Sequence, residues 1–188
     1  MDVKPFARWL PGRGSEENLR AEYFYLAQVE TDCYKCFSRI IVNAIVLPEG
    51  FESLDDYAIE ELDKKGILVE ENIFCKQDYL SILSYITYIS PEALDEINKY
   101  NDNKLFGKKY STAIGYSYYR SICPHCHAAQ GDNFVITEHD SVFSPIDPQN
   151  FEKINFHKIQ LKIKVRVGGN SIGYGPSNNV TIRNIWKN

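Results

Sequence analysis

The stretch Ala21 to Leu47 reads AEYFYLAQVETDCYKCFSRIIVNAIVL. Its first ten residues have the Tyr, Phe and Val content of a β-strand, and Ser38 to Leu47 is rich in β-branched residues and stops at Pro48. Between them lies Cys33-Tyr34-Lys35-Cys36. Strand, knuckle, strand predicts a hairpin whose tight turn presents two sulfurs to one point. A second pair, Cys123-Pro124-His125-Cys126, follows another aromatic segment with β character, Tyr110 to Ile122. Four thiolates close a tetrahedral zinc site, and zinc suits a structural role because it has no redox chemistry and accepts an all-sulfur shell. The two pairs are 86 residues apart, so Cys33, Cys36, Cys123 and Cys126 would tie the front of the chain to its middle. His127, and less readily His125, offers a nitrogen that could replace one sulfur. Cys75 stands alone after Ile73-Phe74 and reads as a core thiol.

Between the knuckles the pattern changes period. Ser53 and Asp56 resemble a capping box, Leu54, Tyr57, Ala58 and Leu62 follow at helical spacing, and Gly66 ends the run. Tyr79 to Ile89 is continuously apolar, and we expect a second helix there. Ser90-Pro91-Glu92 is a helix start, with Leu94 and Ile97 facing inward and Asn101-Asp102-Asn103 as the stop. After the second knuckle, Asn133 to Ile136 reads as an exit strand and Ser144 to Gln149 as a loop. Ile159 to Val167 alternates, with Ile159, Leu161, Ile163, Val165 and Val167 on one face and Gln160, Lys162, Lys164 and Arg166 on the other. A Gly/Asn/Ser-rich loop follows, and Val180 to Trp186 would pair back as a last strand.

At 188 residues the chain fits one domain with a core that needs no staple merely for lack of size. The net charge of -4 argues against a general nucleic-acid coat, but it hides an asymmetry. Glu49 to Glu71 carries nine acidic residues and two basic ones, whereas Lys153 to Asn188 carries seven basic residues and no acidic one. Met1 to Gly14 has no apolar run of signal-peptide length, and no window approaches a membrane span. We expect a cytoplasmic protein, where C-x-x-C pairs mean metal or redox chemistry before structural disulfides.

Several activities lack their motifs. His139 is followed by Asp140 and Ser141, and no proline directly precedes Cys123, so a zinc deaminase is excluded. No phosphate-binding P-loop, zincin helix or serine-hydrolase elbow is present. Cys-Pro-His-Cys also serves thiol oxidoreductases, but there it opens a helix that lowers the thiol pKa, and here Gly131 follows within five residues of Cys126. Tyr116, Tyr118 and Tyr119 with Lys162, Lys164 and Arg166 could instead form a stacking, cationic platform for single-stranded RNA. The acidic residues Asp55, Asp56, Glu60, Glu61, Asp63, Glu70 and Glu71 suit a different role, covering the cationic cleft of a nuclease and steering its approach.

The second knuckle continues as Cys123-Pro124-His125-Cys126-His127-Ala128-Ala129-Gln130-Gly131-Asp132-Asn133-Phe134. Together with Tyr25-Leu26-Ala27 and the first knuckle, it resembles a family of small bacterial zinc-binding proteins with dual C-x-x-C motifs. That family's second knuckle reads C-x-H-C-G-A-x-Q-G-D-x-F, and this chain has His127 in place of the glycine. The resemblance covers roughly residues 22 to 145. It implies a zinc-stabilised module rather than an enzyme. Polymorphic-toxin loci of bacteria are one setting for small acidic proteins of this kind, as immunity proteins against a cognate toxin.

The expectation is therefore a single α+β domain over residues 1–188. Residues 1–48 hold the first strand-knuckle-strand, 49–109 an acidic helical insertion, 110–145 the second knuckle and 146–188 a basic C-terminal β-hairpin. A zinc-ribbon-like core would join the split knuckles through one structural zinc. The expected function is non-enzymatic binding of a toxin, with a nucleic-acid-binding zinc module as the alternative and a thiol oxidoreductase as the third reading.

Overall fold

The computed structural model describes residues 17–66, 73–101 and 106–174. Its strands are β1 (Leu19–Asp32), β2 (Arg39–Leu47), β3 (Glu52–Leu54), β4 (Phe74–Lys76), β5 (Ser81–Ile89), β6 (Phe106–Ser111), β7 (Tyr116–Ser121) and β8 (Asn155–Gly173). The helices are α1 (Asp56–Lys64), α2 (Pro91–Tyr100) and a single turn α3 (Pro148–Phe151), with a π-helical turn at Asn133–Thr137. The class is α+β, mostly β. The sheet order is β4-β3-β1-β2-β5-β7-β6, and β8 pairs with both β1 and β5. Strands β1, β2, β5 and β8 thus close a small barrel-like ring in which every ladder is antiparallel.

Strand β2 is buried from Val42 to Leu47, and apolar there apart from Asn43, because both of its faces are covered. Ile45 and Leu47 join Phe24, Leu26, Leu83, Ile159, Val165 and Val167 in one core. Val42, Ala44 and Val46 join Ile82, Val135, Phe143, Phe151 and the buried Cys33 and Cys123 in a second core. The same two-sided burial explains why Tyr79 to Ile89 is not the expected helix. Ile82 enters the second core and Leu83 the first, so β5 shows a continuous apolar run with no period to betray it. Among its described residues, segment 49–109 accordingly contributes β3, β4, β5 and the start of β6 as well as two helices.

Local irregularities re-aim several side chains. On β1 and β8 the pairing jumps from Ala21↔Val165 to Tyr23↔Gln160. Leu161 to Lys164 therefore bulge opposite Glu22, and the strict alternation of β8 does not give one buried face. Ile163 is half exposed, whereas Ile159, Val165 and Val167 are buried. Strand β8 runs on to Gly173, through residues expected to form a loop. The expected closing strand Val180 to Trp186 lies outside the described residues. Tyr110 to Ile122 is a hairpin, β6 and β7, turning at Gly115 with φ 79°. Asn133 to Ile136, expected as a strand, forms the π-helical turn, burying Val135 and Ile136.

Helix α1 is capped two residues beyond the expected position. The Asp55 carboxylate, not Ser53, accepts the N–H of Ala58 at 2.9 Å, and Gly66 terminates the turn with φ 70°. Ser90 does precede α2, but its hydroxyl caps nothing and instead accepts the N–H of Arg166. Ala93 and Ile97 are buried, with Leu94 at the margin. Among the described residues no helix is long and apolar enough to cross a membrane.

Candidate metal centre

The two knuckles fold alike. In the first, Cys33 donates its N–H to Ser38 and accepts that of Phe37, each at 2.9 Å. In the second, Cys123 donates to Ala128 at 2.9 Å and accepts from His127 at 3.0 Å. Phe37 and His127 occupy the same position and both are left-handed, at φ 58° and 57°. Glycine would take that conformation without steric cost. His127 keeps the knuckle because the flanking hydrogen bonds fix the turn. Backbone N–H groups of Lys35 and Cys126 point at the sulfurs of Cys33 and Cys123, each at 3.5 Å.

Strands β1 and β7 bring the two tips together. The sulfurs of Cys33, Cys36, Cys123 and Cys126 all lie within 4.8 Å of one another. Two contacts cross between the knuckles, Cys33 to Cys126 and Cys36 to Cys123, both at 3.6 Å. These are far beyond an S–S bond of about 2.05 Å, and all four cysteines are free. Metal–sulfur bonds of about 2.3 Å in a tetrahedron require S···S edges of about 3.8 Å. The cluster fits a metal ion with almost no rearrangement. His125 and His127 are both exposed, and neither joins the cluster.

The electrostatics fit the same reading. Burial alone would raise the Cys33 thiol, but N–H groups of Cys36 and Lys35 and the neighbouring sulfurs outweigh it and pull it down to about 6. Cys36 is lowered too, first by the Ser38 side chain and N–H. Cys126 goes the other way, up to about 12: the N–H of Ala128 favours its thiolate, but burial and three neighbouring sulfurs oppose it more strongly. A cluster that splits in this way cannot hold four negative charges by itself. A cation held among the four sulfurs would favour their thiolate forms together.

Gln130 locks the knuckles to each other and is fully buried. Its Nε2 donates to the Cys33 sulfur at 3.4 Å and to the Ala128 carbonyl at 3.0 Å, while its Oε1 accepts the N–H of Tyr34 at 3.4 Å. One side chain from the second knuckle thus orients both loops. Two residues on, Asp132 is also buried. Its carboxylate accepts the N–H of Tyr85 at 2.6 Å, and its own N–H goes to the Tyr118 hydroxyl. Tyr85 is left-handed, at φ 51°, where β5 breaks its ladder with β8. Burial pushes the Asp132 carboxyl up to about 7, against the pull of the Tyr85 N–H and the Arg120 guanidinium. The sequence contained this Gln-Gly-Asp run but gave its side chains no role, because their partners lie on other strands.

The other expected sites are scattered. Asp55 is spent on the α1 cap, and Glu61 reaches Lys64 and Lys65 at 3.8 and 3.9 Å. Glu60 is exposed, and Asp56 and Asp63 lie within α1. Glu70 and Glu71 lie outside the described residues. Helix α1 follows β3, which pairs at the start of β1, whereas Cys33 follows its end. The tyrosines and the basic strand do not build a common platform. Tyr118 is buried, Tyr119 stacks on Phe106, Lys164 pairs with Glu52 and Glu22, and Arg166 pairs with Glu17. Cys75 is not a core thiol; half-buried on β4, it accepts from Gln77 Nε2 at 3.1 Å.

No protein-family model, no curated protein and no solved structure matches this chain.

Proposed function

We propose that this chain is a non-enzymatic, zinc-stapled binding protein of the cytoplasm. Its knuckles would form a zinc-ribbon-like unit, and it would act stoichiometrically, as an immunity protein that occludes a cognate bacterial toxin. A nuclease is the toxin class its acidic segment suits. The observation that carries the structural-metal reading is the closed ligand set. Four cysteines from two hydrogen-bonded knuckles fill a tetrahedron and leave no position for a substrate or an activated water. Zinc is the metal that an all-sulfur tetrahedron of this size favours.

The two competing readings have weaker support. A thiol oxidoreductase needs its C-x-x-C at a helix N-terminus. Here the chain leaves Cys126 through an isolated bridge, Ile122↔Ala129, before the π-helical turn begins at Asn133. A nucleic-acid module needs free cations, and of Lys162, Lys164 and Arg166 the last two are already paired with carboxylates, leaving Lys162 exposed.

Elemental mass spectrometry on chelator-free protein, with a free-thiol count, tests the staple. The expected result is one zinc per chain with Cys75 alone reacting freely; metal-free protein with reactive pairs would refute it. Affinity capture with the candidate toxin tests the partner. Binding should weaken with salt and on Glu60→Lys and Glu61→Lys reversal. Asp55 is unsuited to reversal because it caps α1. Salt-insensitive binding that survives both reversals would remove α1 from the interface.

A further inference from the structure

Beside the four-cysteine cluster lies an open cleft of about 600 Å³, lined in part by residues of both knuckle motifs. Five aromatic rings line it, from five different segments: Tyr34 in the first knuckle, Tyr85 on β5, Tyr110 on β6, Tyr118 on β7 and Phe134 on the π-helical turn. Tyr34, Tyr110 and Phe134 are 57%, 61% and 44% exposed, which is costly for large rings unless something covers them. Tyr118 is buried and packs edge-on against Tyr85, with ring centroids 5.3 Å apart, so the floor is rigid.

The charge of the cleft selects the occupant. Its carboxylates are Glu138, exposed at the rim, and Asp132, buried in the floor. Its one cation among the described residues, Arg120, is buried in the floor and keeps its charge, with its Nε unpartnered. That guanidinium sits over the Tyr118 ring at 4.6 Å and donates to the Tyr118 hydroxyl and to the carbonyls of Lys109 and Tyr110. Aromatic faces are electronegative and attract ammonium and guanidinium groups. The rim, where the exposed rings meet the exposed Glu138 carboxylate, complements a cation, while Arg120 lies beneath it in the floor.

We propose that this cleft is the docking site for an arginine or lysine side chain of a protein partner, held between the rim rings and paired with Glu138. The inference rests on the binding role proposed above but assigns it a second contact, separate from α1. Because Tyr34 lies between Cys33 and Cys36 while Phe134 follows the second knuckle, the metal sets the width of the cleft.

The test is an amide-resonance titration of the metal-loaded full chain with Nα-acetyl-arginine amide. The glutamate analogue and adenosine monophosphate serve as controls. Saturable shifts confined to Tyr34, Tyr110, Phe134, Glu138 and their neighbours are expected from the arginine probe alone. Affinity should fall about threefold in Tyr110→Ala and about twofold in Glu138→Gln. Both side chains are exposed, so folding should survive. The absence of localised shifts, equal affinity in both variants, or a stronger response to adenosine monophosphate would overturn the proposal. If the probe binds while no protein partner is captured, the cleft stands and the immunity reading falls. A captured partner that is indifferent to both variants would sink the cleft alone.

Discussion

Asp132→Asn should change how stability depends on pH. The folded carboxyl titrates near 7, whereas the ordinary value, which the unfolded chain adopts, is 3.8. A raised folded value means that the native state holds the proton more tightly. Its stabilising contribution is full below pH 3.8, declines as pH rises, and is spent above pH 7. Between pH 6 and pH 8 the unfolded chain binds almost none of this proton, while the native state goes from about 0.9 to about 0.1 of one. Integrating gives a loss of about 1.4 kcal/mol over that window. For a chain of this length that is about 3–6 °C in Tm. Asparagine has the same shape and still accepts the Tyr85 N–H, but cannot titrate. Melting metal-loaded wild type and variant side by side at pH 6, 7 and 8 is the assay. Protonation of the cysteine ligands affects both proteins alike, so it cancels in the difference. The variant should gain on wild type as pH rises. Parallel curves would mean that Asp132 is ionised throughout, and the argument from its burial would be wrong.

Four further outcomes follow from the same contacts. Cys33→Ser should abolish stoichiometric metal binding, whereas Cys75→Ser should leave the metal content unchanged by elemental analysis. Gln130→Leu strands the Tyr34 N–H and removes a donor to the Cys33 sulfur; it should cost about 1–3 kcal/mol in denaturant melts and weaken metal affinity about 10- to 100-fold in chelator competition. Gly169→Ala places a Cβ 3.2 Å from both the Ile86 Cα and the Ser84 carbonyl oxygen, so urea denaturation should show a loss of about 1–3 kcal/mol. Chelation should raise amide exchange first in β6, β7 and the π-helical turn, while β1, β2 and β8 stay protected. Uniform loss of protection would show that the metal holds the whole fold.

How far the sequence could be read depends on the range of the interaction. The first hairpin was legible because its turn, its strands and its two sulfurs all lie within Ala21 to Leu47. The start of α2 was legible for the same reason, since Ser90-Pro91-Glu92 is a local signal. Strand β5 was not, because burial on both faces erased its period. The alternation on β8 was real in sequence but was broken by a bulge that exists only against Glu22 of β1. The π-helical turn buries Val135 and Ile136 in the spacing of a short strand, so residue types alone could not separate the two. Asp132 illustrates the limit most plainly. Its carboxylate fills the place of a lost ladder bond on Tyr85, 47 positions away, and nothing near it in the chain records that bond.

The cysteines themselves were fully legible, but not the job they do. A chain of this size, with two cores, does not need a metal for want of apolar burial. The ladders show where it does. Strands β6 and β7 share six registered pairs with each other, yet among the described residues β7 joins the rest of the sheet through the single pair Ile86↔Tyr119. The other ties of this hairpin are side-chain contacts such as the Asn43 N–H to the Ser121 hydroxyl at 2.8 Å. The second knuckle leaves directly from β7, and the first leaves from β1, a member of the closed ring. A four-sulfur site between the two knuckles therefore fastens a hairpin that backbone pairing leaves loosely held. It also fixes the Tyr34 and Phe134 walls of the aromatic cleft to each other. The separation of 86 residues, which is long for a compact ribbon, follows from this arrangement: the chain between the cysteines has to build β5 before β7 has a strand to lean on.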